Sequence, residues 1–363
     1  MDALMLPLNW QRVRLGDIAN YLTSNLSVEQ ITQQGEIKVY DVNNFIGYTD
    51  TTFISDKPYI SIVKDGSVGR VRILPPKTNI LSTMGALIAN HRTTTEFLFY
   101  LLSNFDFKNF TSGSIIPHIY FKDYKEKTIF LPPLNEQSAI ANILSGLDRY
   151  LCALDALILK KEGVKKALSF ELLSQRKRLK GFNQAWQRVR LGDIAEIKRG
   201  VRITKNELDV FGKYPVVSGG VGFLGYTNNF NRYENTITIA QYGTAGYVNF
   251  QKNKFWANDV CFCIYPNKDI IKNIFLYYFL KVNQNYLYEI SNRNATPYSI
   301  SKDKILDFEI LLPPLNEQSA IANILSALDN EITSLKNKKS QFENIKKALN
   351  HDLMSAKIRV LKK

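Results

Sequence analysis

The sequence is poor in the residues that build disulfide frameworks and in the apolar runs that cross membranes. Its 363 residues include only three cysteines, Cys152, Cys261 and Cys263, too few and too unevenly placed for a disulfide framework. No run of about 18 apolar residues occurs, so no membrane-spanning helix is predicted. The first ten residues lack a basic segment followed by an apolar one, so we expect no secretory signal. These absences together favour a protein of the reducing cytoplasm.

The sequence also lacks the motifs that mark most enzymes. Its three histidines share no local context, and no Ser-His-Asp arrangement is recognisable. The segment from Gly220 to Gly225 fits the pattern G-x-G-x-x-G, but the residues after it do not begin a phosphate-binding helix. Cys261 and Cys263 have no second Cys or His pair nearby, so we expect buried residues rather than zinc ligands. The sequence therefore favours a binding protein with no catalytic residues and no metal site.

Basic residues are plentiful and unevenly distributed. The formal net charge is +14, which favours a polyanionic partner. Residues 151–180 hold eight Lys or Arg against three acidic residues, and residues 331–363 hold nine against three, which together is a surplus of 11 charges. The rest of the chain is nearly neutral. Either a solvated helix face or a ligand contact explains the basic segments equally well.

Two parts of the sequence occur twice. Trp10–Ala19 recurs without change as Trp186–Ala195, and residues 131–148 recur as residues 312–329 with one difference, Gly146 against Ala327. The residues between these framing segments differ much more, although they share short matching stretches. The matched pairs are Gly66–Gly69 with Gly243–Gly246, Phe97–Tyr100 with Phe275–Tyr278, and Pro117–Asp123 with Pro297–Asp303. This order predicts two domains of one fold that have diverged on one surface.

Each repeat is predicted to be a strand-rich domain followed by a long helix. The domains span residues 1–133 and 182–314, and apolar residues at three-four spacing predict helices over 134–181 and 315–363. Within the domains, β-branched and aromatic runs predict strands and two segments predict short helices: strands over 235–240 and 261–265, helices over 97–103 and 274–282. Because the apolar stripes are narrow and long, we expect the two long helices to pair as an antiparallel coiled coil. The alternative is that each helix lies on its own domain.

The divergent segments between the repeated starts and the long helices supply polar, basic and aromatic side chains in glycine-rich loops. Arg suits guanine, Asn and Gln suit adenine, and Ser, Thr and Lys suit phosphates. The DNA-binding candidates of the first domain are Lys64, Ser67, Arg70, Arg72, Arg92, Ser114, His118 and Lys122. Those of the second domain are Arg199, Arg202, Asn228, Arg232, Gln241, Tyr242, Thr244, Tyr247, Asn292, Arg293, Tyr298 and Lys302. A solvated loop is the alternative for each residue.

The whole arrangement resembles the DNA specificity subunit of type I restriction-modification enzymes. The resemblance rests on W-x-x-V-x-L-G-D-I at each domain start, a G-x-x-G turn midway, and L-P-P-L-x-E-Q opening each long helix. It implies an α+β fold, with two similar strand-rich α/β target recognition domains separated by two antiparallel coiled-coil helices, in a pseudo-two-fold internal repeat. One departure is visible: a glycine-bearing turn follows the start motif at Gly200, but Tyr21–Leu26 has no glycine at that place.

The resemblance also implies a function and a set of partners. Each domain would recognise one half of a bipartite, asymmetric site in double-stranded DNA. The chain itself would be non-catalytic, and would assemble with two adenine methyltransferase subunits and with restriction and translocase subunits. S-adenosylmethionine, ATP and Mg would belong to those partners, with no cofactor in this chain. The implied methyltransferase-binding residues open the long helices: Leu134, Glu136, Gln137, Ile140, Leu315, Glu317, Gln318 and Ile321.

Two other function classes compete with this hypothesis. A catalytic subunit is disfavoured because methyltransferase, nuclease and ATPase motifs are missing from the sequence. A coiled-coil adaptor that binds only proteins would share the long helices but would not retain sequence-specific DNA. Under the favoured hypothesis, the helix pair acts as a spacer that sets the distance between the two half-sites.

Overall fold

A computed structural model of the chain describes residues 9–294 and 296–360. The chain divides into two compact units. Unit 1 combines the residues up to Asp155 with those from Asn337 onward, and unit 2 is Ala156–Lys336. The ends of the predicted first domain and second long helix, residues 1–8 and 361–363, lie outside the described residues.

Unit 1 begins with nine short strands and two helices before its first long helix. The strands are β1 Gln11–Arg14, β2 Ala19–Thr23, β3 Ile37–Tyr40, β4 Phe45–Thr49, β5 Tyr59–Val63, β6 Val71–Leu74, β7 Thr78–Ile80, β8 Met84–Ala89 and β9 Thr128–Leu131. The helices are α1 Thr95–Ser103, α2 Phe121–Tyr124 and the long α3 Leu134–Leu173. Short 3-10 helices cover Leu15–Asp17, Val28–Gln30 and Lys108–Phe110.

Unit 2 repeats this order. Its strands are β10 Gln187–Arg190, β11 Ala195–Arg199, β12 Tyr214–Val217, β13 Phe223–Thr227, β14 Thr236–Ala240, β15 Val248–Gln251, β16 Trp256–Ala257, β17 Cys261–Pro266 and β18 Glu309–Leu312. Its helices are α4 Leu191–Ile194, α5 Asn273–Val282, α6 Gln284–Ile290 and α7 Lys302–Leu306, with a 3-10 helix at Lys205–Glu207. The long α8 Leu315–Met354 begins in unit 2 and ends in unit 1, and α3 likewise begins in unit 1 and ends in unit 2. The strands predicted over 235–240 and 261–265 and the helices predicted over 97–103 and 274–282 are confirmed.

The strands of each unit form three sheets with the same connections. In unit 1 the orders are β1-β9, β2-β8-β5-β6 and β4-β3-β7. In unit 2 they are β10-β18, β11-β17-β14-β15 and β13-β12-β16. Each strand of one unit therefore has a counterpart in the other, and the parallel pairs β3-β7 and β12-β16 also correspond. This confirms the prediction of two repeats of one mixed fold.

The central strands of the four-stranded sheets are covered on both faces. All five residues of β5 and all five of β14 are buried, which is the pattern expected of a covered strand. Helix α1 covers the sheet of unit 1 after an N-cap at Thr94, whose hydroxyl accepts a hydrogen bond from the Phe97 amide at 3.2 Å. In each unit the end of a long helix completes the core: Leu353 and Met354 of α8 in unit 1, Leu172 and Leu173 of α3 in unit 2.

The long helices are shorter than predicted. Each spans 40 residues, or about 60 Å at 1.5 Å per residue, and both end well before positions 181 and 363. Two residues after the last helical position, Gln175 (φ 63°) and Ala356 (φ 58°) adopt the left-handed conformation and turn the chain away from the helix axis. The basic segment at residues 176–180, which belongs to the helix predicted over 134–181, therefore lies beyond α3.

Within each unit, α3 and α8 run antiparallel. In unit 1, Asp148 pairs with Lys346 and Asp155 pairs with Lys339, so numbers rise along α3 as they fall along α8. In unit 2, Lys161 pairs with Glu331 at 2.8 Å, and Lys165 pairs with Asp329. These ion pairs confirm the predicted antiparallel packing.

Over residues 9–294 and 296–360, no helix combines the length and the apolar character that a membrane crossing requires.

Candidate nucleic-acid interface

A glycine turn closes one end of the four-stranded sheet in unit 1. It joins β5 to β6, and both Gly66 (φ 82°) and Gly69 (φ 80°) have the left-handed backbone that glycine tolerates best. The Gly69 amide donates to the Val63 carbonyl at 2.9 Å. A Cβ on Gly69 would lie 2.6 Å from a ring carbon of Phe107, so a larger residue does not fit without movement. The turn is therefore a fixed feature at this end of the sheet.

A second loop is anchored against this turn. Ser112 and His118 exchange backbone hydrogen bonds of 2.9 and 2.7 Å, which close residues 113–117 into a small loop that we call the first apex loop. The Gly66 amide donates to the Pro117 carbonyl at 2.9 Å, and the His118 ring nitrogen Nδ1 lies 2.7 Å from an Asp65 carboxylate oxygen. Two attachments, Gly66 to Pro117 and Asp65 to His118, thus hold this loop beside the glycine turn.

Unit 2 repeats this construction with different side chains. Gly243 (φ 79°) and Gly246 (φ 91°) turn the chain between β14 and β15, and the Gly243 amide donates to the Tyr298 carbonyl at 3.0 Å. Asn292 and Ser299 exchange backbone bonds of 2.7 and 3.1 Å around residues 293–298, which we call the second apex loop. Residue 295 of this loop lies outside the described residues. The two units therefore present equivalent loops at equivalent ends of equivalent sheets.

Most of the first domain's DNA-binding candidates meet at the turn end of its sheet. Lys64 follows β5, and its carbonyl accepts from the Ile119 amide at 2.9 Å, which links the turn to the chain just after the first apex loop. Lys122 lies near this segment, with its ammonium 5.4 Å from the Tyr120 ring centre. The candidates at this end are Lys64, Ser67, Arg70, Ser114, His118 and Lys122, of which Ser67, Arg70, Ser114 and Lys122 are exposed.

Two candidates of the first domain lie elsewhere. Arg72 is directed to the smaller sheet, where it donates to the Asn43 carbonyl at 2.9 Å and lies 5.2 Å from the Tyr40 ring centre. Arg92 follows the far end of β8, because β8 runs antiparallel to β5 and begins beside the turn. Its guanidinium donates to the Gln11 side chain at 3.1 Å. The structure therefore does not bring Arg72 and Arg92 to the turn end.

The second domain's candidates also gather at the turn end, with exceptions. Gln241, Tyr242, Thr244, Tyr247, Asn292, Arg293 and Tyr298 belong to the turn, its flanks or the second apex loop. Among them, Arg293 donates from its Nε to the Tyr288 carbonyl at 2.9 Å, and its guanidinium lies 5.1 Å from the Tyr298 ring centre. Arg199 is the last residue of β11 and lies on the same side, because it is paired with Phe262 in β17, and Arg202 follows three residues later. Lys302 is exposed and opens α7.

Arg232 and Asn228 have contacts that tie them to the domain. Arg232 is half-buried, and its two terminal nitrogens donate to the carbonyls of Asn231 and Arg199, each at 2.7 Å. It therefore braces the strand end that carries Arg199. Asn228 donates to an Asp209 carboxylate oxygen at 2.7 Å, beside the three-stranded sheet.

The two sequence patterns that suggested other chemistry have structural explanations. The glycines of Gly220–Gly225 lead into strand β13 and not into a helix, so no helix N-terminus is available there for a phosphate. Cys261 and Cys263 are buried free thiols in β17. Among the described residues, no group of three or more His, Cys, Asp or Glu side chains could hold a metal ion.

The residues that open each long helix face inward. Glu136 is 1% exposed, and its carboxylate accepts from the Trp10 indole at 3.1 Å and from both Nε and a terminal nitrogen of Arg359, at 3.2 and 2.8 Å. In unit 2, Glu317 is fully buried, and it accepts from Trp186 at 3.0 Å and from Arg178 at 3.2 and 2.6 Å. We call each set a Trp-Glu-Arg clamp. Each clamp joins a domain start, the start of one long helix and the chain just beyond the other.

The neighbouring glutamines fix the long helices to the short ones. In unit 1, Gln137 accepts from the Thr94 amide at 3.0 Å and donates to the Arg92 and Pro132 carbonyls, both at 2.9 Å. In unit 2, Gln318 accepts from the Lys272 amide at 2.7 Å in the corresponding position. Both glutamine side chains are completely buried.

The predicted methyltransferase-binding surface lies largely inside the two units. Six of its eight residues are buried and bonded or packed within their own unit, so they are not accessible to a partner: Glu136, Gln137, Ile140, Glu317, Gln318 and Ile321. Only Leu134, which is 49% exposed, and the half-buried Leu315 face the surface. The identity of the two copies of this segment has an internal explanation, because both copies make the same buried bonds.

A third set of equivalent contacts ties each domain to the helix pair. The Tyr100 hydroxyl donates to Asp148 at 2.7 Å, and Lys346 pairs with the same carboxylate. In unit 2, Tyr278 donates to Asp329 at 2.7 Å, and Lys165 completes the set. Burial, and then the bond to the carboxylate, raises the pKa of Tyr100, so its hydroxyl stays protonated and can donate.

Sequence reasoning missed the basic members of these sets. Arg178 and Arg359 appeared only as parts of basic segments, although both stand at the same position of their repeat, 181 residues apart. That correspondence was the available signal. A buried carboxylate requires a partner, so two arginines at matching positions could have been predicted to pair with Glu136 and Glu317.

Comparison with known proteins assigns the family. Residues 7–161 and 183–344 each match the family described as type I restriction modification DNA specificity domain. The chain is 26% identical over 410 residues to the type I restriction enzyme MjaVIII specificity subunit of Methanocaldococcus jannaschii, a match that covers 99% of this chain and 95% of that protein. It is 32% identical over 155 residues to the putative type I specificity subunit S.MpnORF638P of Mycoplasma pneumoniae, covering 42% of this chain and 41% of that protein.

Solved structures show the same fold. The crystal structure of a type I restriction-modification S subunit from M. genitalium superposes with a TM-score of 0.72 at 22% identity, covering 97% of both chains. A chain from a type I restriction-modification complex gives a TM-score of 0.58 at 18% identity, covering 96% of this chain and 98% of that one. With both repeats matched and the fold shared, the chain belongs to the type I restriction-modification DNA specificity family, which confirms the predicted non-catalytic, DNA sequence-recognition role.

Proposed function

We propose that the turn end of each four-stranded sheet contacts one half of a bipartite, asymmetric site in double-stranded DNA. The observation that carries this proposal is the pair of apex loops. They are anchored in the same way in both units, yet one has the sequence GSIIP and the other RNATPY. Equal anchoring with unlike side chains is what two recognition surfaces for two different base sequences require.

The side chains around the loops suit the two proposed roles, binding of phosphates and recognition of bases. Exposed Arg70 and Lys122 in unit 1, and Arg202 and Lys302 in unit 2, supply positive charge for phosphates. Arg293 and the second apex loop supply hydrogen-bond donors that can recognise base edges in the major groove. Hydrogen bonding to the backbone and stacking on Tyr298 hold the Arg293 side chain, which reduces the entropy lost on binding.

We further propose that the exposed remainder of the repeated helix-opening segment binds the methyltransferase partners. It presents Leu134 and Asn135 on α3 and Leu315 and Asn316 on α8, which are exposed or half-buried and identical between the repeats. Two copies of one surface fit two copies of one subunit. S-adenosylmethionine, ATP and Mg then belong to the methyltransferase and restriction-translocase subunits, and this chain contributes sequence recognition.

Mapping of methyladenine across a genome tests the proposal. Cells that express this chain together with its methyltransferase should methylate one bipartite sequence motif, and cells that lack this chain should lose that methylation. A complex that assembles but binds all DNA sequences equally would support the protein-only adaptor and contradict the proposal. Methylation by the purified chain alone would instead make it a catalytic subunit.

Charge substitutions test the partner surface. Leu134→Glu together with Leu315→Glu should abolish co-purification of the methyltransferase while the protein stays folded, because an acidic residue is tolerated in the first turn of a helix. Leu159→Glu is the matched control, since Leu159 is 72% exposed on α3 and its counterpart in α8 is a serine. Equal loss in the control would show that the repeated surface has no special role.

A further inference from the structure

The tip of the first apex loop is apolar, and basic and hydroxyl side chains lie near it. Ile115 is 92% exposed and Ile116 is 55% exposed. Gly113 (φ 90°) lets the chain fold back so tightly that a Cβ there would lie 2.3 Å from the Ile116 carbonyl oxygen. The loop is anchored at Ser112, Pro117 and His118. The two isoleucines are therefore exposed at the tip of a loop whose ends are held in place.

The two isoleucines have no packing role within the unit. Neither belongs to the hydrophobic core of unit 1 nor to the half-buried residues around it. Adjacent apolar side chains that are exposed together and rimmed by polar residues are a marker of contact with another molecule. Their neighbours Ser114, His118, Arg70 and Lys122 indicate that this molecule is a polyanion rather than an apolar protein surface.

We propose that Ile115 and Ile116 contact the C5 methyl groups of thymines in the major groove of the first half-site. This inference rests on the proposed function and adds the chemistry by which one half-site is recognised. The thymine methyl is the apolar feature that the major groove presents, and aliphatic side chains contact it directly. Basic and hydroxyl groups around the loop hold the phosphates, which brings the apolar tip to the base edges.

The second apex loop has the opposite chemistry. At its described positions it carries Arg293, Asn294, Thr296, Pro297 and Tyr298, with Thr296 as the counterpart of Ile116 and no large aliphatic side chain. Arg suits the two acceptors of guanine and Asn suits adenine. One half-site is therefore distinguished by methyl groups and the other by hydrogen bonds, on loops that are otherwise built alike.

Replacement of thymine by deoxyuridine tests the inference, because it removes only the methyl group. The probes are duplexes that carry the mapped site, with each thymine of the first half-site replaced in turn, and the protein is the complete complex with its methyltransferase. At one or two positions the loss of the methyl should weaken binding about fourfold, the approximate worth of one buried methyl group. Equal affinity for every deoxyuridine probe would overturn the inference.

Variants of the loop show whether the isoleucines cause the effect. Ile115→Ala and Ile116→Ala should each bind the thymine probe more weakly and should discriminate less between thymine and deoxyuridine, whereas Ile115→Val should keep most of the preference. Ile345→Ala is the matched control, since Ile345 is 50% exposed on α8, and it should leave the preference unchanged. Full thymine preference in both alanine variants would contradict the assignment.

The same experiment separates this inference from the proposed function. A complex that prefers the mapped site over a scrambled duplex but ignores the thymine methyls keeps the proposed function and rejects the methyl contact. A complex without preference for the mapped site rejects both. Weaker methyltransferase co-purification in the alanine variants, with unchanged thymine preference, would identify the loop as a protein contact and also overturn the inference.

Discussion

The two units agree in the residues that hold the fold together and differ in the residues that the fold displays. Both have a Trp-Glu-Arg clamp, a buried glutamine, a Tyr-Asp-Lys set and a glycine turn with positive φ angles. The apex loops, anchored by the same backbone bonds, have no residue type in common apart from proline. The comparison teaches that identity between the repeats marks shared internal contacts and the proposed partner surface, whereas difference marks the surface where the two recognition tasks diverge.

The clamps offer the largest effect with which to test this comparison. Glu136→Gln and Glu317→Gln each leave a half-buried guanidinium without its countercharge, and each should lower the free energy of unfolding by about 3 kcal/mol. Urea unfolding of the full chain measures the loss. Glu309→Gln is the control, because Glu309 forms an exposed pair with Arg188 at 2.8 Å and should cost at most about 1 kcal/mol. A marked difference between the two clamp variants would contradict their equivalence.

The Tyr-Asp-Lys sets should show a smaller effect that is again equal in both units. Tyr100→Phe and Tyr278→Phe each remove a hydrogen bond to a carboxylate, which should cost about 2 kcal/mol in the same unfolding measurement. The aromatic ring is kept, so the packing around it changes little. If one substitution were neutral while the other was costly, the helix pair would be tied to only one of the two domains.

Substitutions in the glycine turns should lower the free energy of unfolding by slightly different amounts in the two units. Gly66→Ala should cost about 1 kcal/mol, because the φ angle of 82° strains an alanine although no atom lies within 4 Å of the added Cβ. Gly243→Ala should cost more, since its Cβ would also lie 3.0 Å from the Gly219 carbonyl oxygen. Thermal unfolding of the two variants, compared with the unaltered chain, measures this order, and the reverse order would contradict the geometry.

The apex loop should have the smallest effect on stability. Ile115→Ala should change the free energy of unfolding by no more than about 0.5 kcal/mol, because the side chain is 92% exposed. Its consequence should appear in DNA affinity instead. A loss of stability comparable to that of the clamp variants would mean that Ile115 packs within the fold.

Much of this arrangement was predictable because the sequence contains two copies of one plan, which can be aligned with each other. The matching starts, turns and helix openings predicted two like domains and two long antiparallel helices, and the structure confirms both. The helix ends were wrong because Gln175 and Ala356 turn the chain where no glycine or proline signals it. The inward direction of Glu136 and Gln137 was also missed, since three-four spacing identifies the apolar side of a helix but not which polar residues are buried with it.

The site was predictable only in part. The glycine-rich loops that the sequence singled out do meet at one end of each sheet, where backbone hydrogen bonds such as Gly66 to Pro117 and Gly243 to Tyr298 join them. The positions of Arg72, Arg92 and Arg232 were not predictable, since each depends on pairing between strands or helices distant in sequence. Ile115 and Ile116 were passed over because the candidates were chosen for polarity, and their exposure emerges only from the folded loop.

The central claim is that each apex loop recognises its own half of the DNA site, and genome-wide mapping of methyladenine tests it most directly. The measurement compares cells that carry the unaltered chain, the Ile115→Ala variant or the Arg293→Ala variant. We expect the first substitution to relax the motif in one half only and the second to relax it in the other half only. A change in both halves from either substitution, or weaker methylation with an unaltered motif in both variants, would contradict the account.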